Sequence, residues 1–245
     1  MPAMRPVLLM TRPEAASRAF VDALQAAGAA DFDPVISPLI EIVPEGPLPD
    51  LSGVSAVILT SASAIGAFTA MGGRARGPAY CVGPSTARAA KAAGFDVRAT
   101  CRDAEDLVAH VSGTHRGGPI LHMRGEHARG AVVERLAHAG LETAEAVIYR
   151  QPERPLSPQG RAALAGDRVV VAPVFSPRTG GILARNGARA PLLVAALSEA
   201  VAKSVGPLHS RAVAVAARPD QPAMLTCTLD LLARAGHLET GQGGL

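Results

Sequence analysis

Hydroxyl, glycine and arginine residues recur at one kind of place in this chain, where an apolar run ends and a helical pattern begins. Thr60 and Ser61 close the run AVIL in AVILTSASAIGAF (56–68), with Ser63 just beyond. Gly83, Ser85 and Thr86 follow PAYCV, and Thr11 and Arg12 follow VLLM. Arg124, Gly125 and Glu126 follow ILHM, while Ser176 follows VVVAPVF and Ser198 follows LLVAAL. A strand end facing a helix start brings free main-chain N–H groups and hydroxyls together at the positive end of the helix dipole, and such seams receive anions. An arginine there adds a fork that matches a carboxylate. Tyr149 is the candidate for proton chemistry, because a phenol can donate a hydrogen bond or a proton. Each residue also has an ordinary reading. Thr60, Ser61, Ser85 and Thr86 suit helix caps, Arg12 suits a surface cation, and Tyr149 suits an amphipathic strand.

Other chemistry finds no foothold. GxxxxGK[ST] is missing, and GPST lacks the lysine that reaches nucleotide phosphates. No GxGxxG follows the first strand, so a dinucleotide enzyme is unsupported, and GxSxG and HExxH are absent. His122 and His127 straddle one junction without a carboxylate-and-histidine set, and no metal site is expected. The three cysteines, Cys81, Cys101 and Cys227, form no CxxC pair and no disulfide framework. The net charge of +3, from 24 Lys+Arg against 21 Asp+Glu, is too small and too scattered for nucleic acid but suits a small anionic ligand. Only Lys91 and Lys203 are lysines, so nearly every cation is an arginine. No run approaches a membrane span and the start MPAMRPVLLM meets no cleavage signal, so a soluble, cytoplasmic protein is expected.

The elements that must position these residues are short apolar strands alternating with helical stretches. Expected strands are 5–11, 54–60, 78–82, 95–99, 119–123, 142–150, 167–175, 191–197 and 211–217. Helices are expected at 13–28, from about Ser63 to Met71, at 83–94 and 103–111, from Glu126 toward Gly140, at 176–187 and 198–206, and near 220–236. The glycine-rich tail GQGGL is expected to fray. This alternation, with hydrophobic content of 48%, describes α/β architecture with buried parallel sheets. The halves repeat: AVILTSASAIGAF aligns with VVVAPVFSPRTGGIL, and AYCVGPSTARAAKAAG with LLVAALSEAVAKSVG. VLLMTRPEAASRAFVDALQAAGA aligns with ILHMRGEHARGAVVERLAHAGL, so the C-terminal half lacks its own first unit. The economical arrangement is a discontinuous domain of 1–36 plus 154–245 and an inserted domain of 45–145. The crossings 37–44 and 146–153 then pair as a two-stranded β-ladder hinge, and the seams line a cleft. A single cut near 155 is the weaker alternative.

The stretches LLMTRPEAAS, PLIEIVP, VILTSASAI, YCVGPSTARAAKAAG, ILHMRGEHARG, AVIYR and VVVAPVFSPRTGG, in this order and spacing, resemble the uroporphyrinogen-III synthase family across nearly the whole chain. The resemblance implies two similar Rossmann-like α/β domains joined by a β-ladder. It implies a monomeric, cofactor-independent lyase of tetrapyrrole and heme biosynthesis. The substrate would be hydroxymethylbilane, a linear tetrapyrrole polycarboxylate, closed to uroporphyrinogen III with loss of water and inversion of ring D. By the same resemblance Thr60, Ser61 and Ser63, then Gly83, Ser85 and Thr86, hold substrate from the inserted domain. Ser176 is similar to the serine of the family's SP turn, and Tyr149 to its hinge tyrosine. Arg12 and Arg124, with Gly125 beside the latter, would meet substrate carboxylates. One stretch departs from the pattern: AALSEAVAKS (195–204) stands where relatives carry a second GPTTA-like turn. Ser198 is the stand-in there, and Glu199 would repel carboxylates unless it faces away. A non-enzymatic clamp for a small polyanion is the alternative function.

Overall fold

A computed structural model describes residues 4–127 and 130–239; the tail GQGGL lies outside the described residues. The chain divides into two compact units, one formed by residues up to Glu41 together with those from Glu153 onward, the other by Ile42–Pro152. In chain order, β1 (Val7–Met10), α1 (Glu14–Ala26) and β2 (Asp33–Ile36) open the first unit. The second unit follows with β3 (Val43–Pro44), β4 (Ala56–Leu59), α2 (Ala62–Ala70), β5 (Pro78–Val82), α3 (Pro84–Ala93) and β6 (Asp96–Cys101). It ends with α4 (Ala104–Thr114), β7 (Ile120–Gly125), α5 (Val132–His138) and β8 (Thr143–Arg150). The first unit is completed by α6 (Pro158–Ala165), β9 (Val170–Val174), α7 (Pro177–Ala184), β10 (Leu192–Ala196), α8 (Glu199–Ser204), β11 (Ala212–Val215) and α9 (Gln221–Glu239).

The aliphatic runs become strands buried on both faces: every residue of β1, β4, β9 and β10 is buried. The outer strands β6 and β11 alternate in exposure, as edge strands do. The first unit's sheet runs β11-β10-β9-β1-β2, all parallel. The second runs β3-β8-β7-β4-β5-β6, parallel except for β3 against β8. In the first unit Leu9, Val170 and Val194 pack with Leu164, Ile182 and Val201 of α6, α7 and α8. On the opposite face Leu8, Met10 and Val171 pack with Phe20 and Leu24 of α1 and Met224 and Leu232 of α9. The second unit is layered the same way, with α2 and α3 on one face and α4 and α5 on the other.

In each sheet the strand order reverses beside a central strand. The first unit's chain steps from β1 outward to β2, then resumes at β9 on the other side of β1. The second steps from β4 to β5 and β6, then resumes at β7 on the other side of β4. Such switch points are where ligands bind in open α/β sheets, outside the carboxyl ends of the strands. In the first unit the ladder itself opens there. β1 pairs with β9 only through Val7↔Val170 and Leu8↔Val171, whereas β9 pairs with β10 from Val170 to Val174. Pro173, which has no N–H for a ladder, lies beyond the point where β1 has let go.

Several sequence expectations shift. Arg124 and Gly125, expected at a helix start, are the last residues of β7, and the helix begins only at Val132. Tyr149, expected on a hinge strand, does pair with Pro44 in an antiparallel ladder, but it also ends the parallel pairing of β8 with β7, which runs from Thr143 to Tyr149. The antiparallel ladder between the crossings is short: Val43↔Arg150, Pro44↔Tyr149 and an isolated bridge Ile40↔Glu153. β2 and α6 had no counterpart in the expected elements. α6 starts from Ser157, whose hydroxyl accepts from the Gly160 N–H at 3.0 Å.

Candidate functional site

At the second unit's switch point, Thr60 and Ser61 follow β4 while β7 ends in Arg124 and Gly125. Ser61 is the N-cap of α2 and accepts from the Ser63 N–H at 3.2 Å, so the capping role open to it is real. Its side chain also interacts with the Tyr149 phenol. Tyr149 is brought there by a break in register. Arg124 pairs with Val147 but Gly125 with Tyr149, so Ile148 is the extra residue of a bulge. Consecutive side chains Ile148 and Tyr149 consequently pack into the same core, which a regular strand does not permit. The Tyr149 ring lies directly over Gly125. A Cβ on Gly125 would stand 2.5 Å from two ring carbons and 2.9 Å from the phenol oxygen, so no larger residue fits without moving the ring. Burial pushes the Tyr149 phenol up, with Ser61 and the Gly125 main chain partly opposing this. The phenol therefore keeps its proton through neutral pH.

The neighbours of this seat have partners of their own. The Thr60 hydroxyl lies 3.3 Å from His122 Nε2. His122 is buried, and desolvation, then the nearby Arg124, pull it down to about 4, so it is a neutral partner. Arg124 is held by Glu145 of β8 in a two-pronged ion pair, with Nε–H donating at 2.7 Å. That hydrogen bond raises Arg124 and lowers Glu145. Any anion reaching Arg124 shares it with Glu145.

One strand further out, Gly83 takes φ +80° and N-caps α3, a conformation that favours glycine. Pro84 occupies the first turn, and the Ser85 and Thr86 N–H groups meet no protein acceptor among the described residues. Ser85 is exposed and Thr86 buried. The first turns of α2, α3 and α7 carry no acidic residue, so each keeps its positive potential. α8 does not: Glu199 sits in its first turn, exposed. Ser198 precedes it with an extended backbone (φ −160°), which needs no glycine, and its hydroxyl makes no capping bond. The departure AALSEAVAKS therefore folds without strain but leaves only a six-residue helix with an acid at its start.

In the first unit Arg12 follows β1 and Ser176 follows β9, on the two sides of the switch point. Ser176 caps α7, accepting from the Thr179 N–H at 3.1 Å and sharing a hydrogen bond with the Thr179 hydroxyl. Arg12 is half-buried and its guanidinium carbon stands 4.1 Å from the centre of the Phe175 ring. Phe175 in turn meets Phe20 edge-on, 5.1 Å between centres. Among the described residues no carboxylate pairs with Arg12, and burial alone lowers its pKa. Phe175 was not among the candidate residues. Its sequence signal is faint: an aromatic just before Ser-Pro, far along the chain from Arg12. Thus the structure gathers Ser61, Gly125 and Tyr149 at one switch point and Arg12 with Ser176 at the other. Ser85, Thr86 and Ser198 stand on neighbouring strand ends.

The family model for uroporphyrinogen-III synthase HemD matches residues 19–226. Curated protein sequences give no match. Among solved structures, uroporphyrinogen-III synthetase from Helicobacter pylori aligns over 93% of this chain and 100% of its own, with 14% identity and a TM-score of 0.60. A mutant uroporphyrinogen III synthase from Thermus thermophilus aligns over 94% and 98%, with 16% identity and a TM-score of 0.51. At these identities the two structures speak to the fold, which they share with this chain.

Proposed function

The chain belongs to the uroporphyrinogen-III synthase HemD family, and from that premise we propose that it closes hydroxymethylbilane to uroporphyrinogen III, losing water and inverting ring D. The observation that carries the proposal is the protonated Tyr149 phenol, buried on Gly125 beside Ser61 at a switch point. Departure of the terminal hydroxyl from ring A needs a proton. The phenol supplies it, the C–O bond breaks, and water leaves behind an azafulvene-like electrophile. Attack on the already substituted carbon of ring D gives a spirocyclic intermediate, which fragments and recloses with ring D reversed. The last pyrrole then gives up a proton, which restores the phenol. General-acid assistance of this kind contributes about 10²–10⁴-fold.

Chemistry alone does not select the isomer, because the free electrophile closes directly to the I isomer. Holding the chain in a geometry that favours the spiro route is the larger task. The acid-free helix starts of α2, α3 and α7 and the carboxylate-free Arg12 suit a substrate that presents acetate and propionate groups. The test is product isomer analysis: hydroxymethylbilane is generated in situ with and without the protein, and the products are oxidised and separated. A dominant III isomer is expected. Only the I isomer at the background rate, from folded protein, would overturn the proposal; saturable tetrapyrrole binding in that case would leave a polyanion clamp.

A further inference from the structure

The two switch points each carry an arginine, but they treat it oppositely. Arg124 is neutralised by Glu145, whereas Arg12 lies against the face of Phe175 with no carboxylate paired to it among the described residues. An aromatic face attracts a guanidinium through its quadrupole and restricts its plane, yet brings no negative charge that a ligand carboxylate would have to displace. The ring is itself fixed. Phe20, fully buried in α1, meets Phe175 edge-on at an interplanar angle of 86°. The main chain of Arg12 is tied as well: the Ser17 hydroxyl donates to its carbonyl at 2.8 Å. The β1–β9 ladder has ended at Leu8 and Val171, so Arg12 and Phe175 follow two strand ends that no longer hydrogen-bond to each other. All these parts belong to one unit and come from sequence stretches far apart in the chain.

We propose that Phe175 is a positioning residue for substrate binding: its ring holds the Arg12 guanidinium open at the first unit's switch point as a receptor for one carboxylate of the substrate. This rests on the synthase reading above. The ring does not touch the reacting atoms. It presents the planar fork, which then takes a carboxylate through two parallel N–H···O bonds. Arg124, already engaged by Glu145, serves a different purpose, so the two arginines are not interchangeable. The expected kinetic signature is a change in KM with kcat and isomer ratio preserved, because the contact is made equally in ground and transition states.

The experiment measures KM and kcat for hydroxymethylbilane, product isomers and thermal unfolding for wild type and five variants. Phe175→Met keeps volume and contact with Phe20 while removing the aromatic face; KM should rise about tenfold with kcat nearly unchanged. Phe175→Tyr retains the face and should stay within about twofold of wild type. Arg12→Lys leaves Phe175 packing intact but replaces the fork with a point charge, and KM should again rise about tenfold. In an Arg12→Gln background, Phe175→Met should raise KM no further, since its effect passes through Arg12. A Phe175→Met change in kcat or melting temperature with unaltered KM would overturn the proposal, as would an unaltered KM in Arg12→Lys or additive effects in the double variant. Should Phe175→Met fail to fold, the Tyr and Lys variants still decide. Wild-type protein that yields only the I isomer removes the synthase reading and this one with it; a III isomer with insensitive KM removes this one alone.

Discussion

Tyr149 owes its seat to the residue beneath it. Because its ring occupies the space a Cβ on Gly125 would need, Gly125→Ala should lift the phenol off Ser61. A loss of about 1–3 kcal/mol in stability is expected by overpacking, with a rate reduced as far as that of Tyr149→Phe. Tyr149→Phe itself should lower kcat about a hundredfold while leaving the III isomer dominant, as befits loss of an acid rather than of the binding geometry. Initial rates and isomer ratios on folded variants check both; an undiminished kcat in Tyr149→Phe would remove the phenol from the mechanism. A third residue-scale prediction concerns His122, which burial holds at about 4 against an ordinary 6.5. A depressed imidazole binds fewer protons in the folded chain than in the unfolded one. Its contribution to stability is therefore complete above about 6.5, falls as the pH drops toward 4, and levels off below. The facing charges are Arg124, which opposes protonation, and Glu145 and Glu134, which favour it. Wild type should lose about 3 kcal/mol more than His122→Asn between pH 7 and 4. Urea unfolding across that range would show parallel curves if the idea is wrong.

At the scale of elements, two of the seams, those before α2 and α7, are helix starts whose capping hydroxyls are already in use. Ser61 serves the Ser63 N–H and Ser176 the Thr179 N–H, so their hydroxyls give a ligand only what the cap leaves over. The free donors are main-chain ones, such as the Ser85 and Thr86 N–H groups behind Gly83. Substrate held by many such groups should tolerate the loss of any single hydroxyl. Ser61→Ala is expected to cost about 1 kcal/mol of stability as a lost cap, with a fall in initial rate well short of a thousandfold. A thousandfold loss in folded protein would assign Ser61 a direct part in the chemistry. The elements themselves were legible where apolar runs were continuous: β4, β5, β9 and β10 are such runs and become fully or mostly buried strands. β2, the short DPVI, and α6, with proline at its start and glycine inside, lack that pattern and take their form from the sheet and core they join.

For the whole molecule, each core is drawn from one unit. The second unit, Ile42–Pro152, is continuous and contains both layers of its own core. A fragment of residues 42–152 should fold alone, with cooperative urea unfolding followed by circular dichroism. The fragment 153–245 should not, because β1 lies between β9 and β2 and brings Leu8 and Met10, followed by Phe20 and Leu24 of α1, to the core. Supplying residues 1–41 in trans should restore cooperative unfolding. A 153–245 fragment that unfolds cooperatively by itself would show that β1 is dispensable.

By itself the sequence determined the α/β class, the repeat, the family and which strand ends carry hydroxyls, because burial on both faces demands aliphatic runs and helix starts demand caps, and both leave local signatures. Only the tertiary structure decided how those ends are used. That Gly125 admits the Tyr149 ring depends on a one-residue bulge at Ile148, which AVIYR does not announce. Whether an arginine is available depends on what stands opposite: Glu145 for Arg124, the face of Phe175 for Arg12. These partners lie on neighbouring strands distant in the chain. No local pattern encodes them, because strand order and register bring them together only once the sheet has formed.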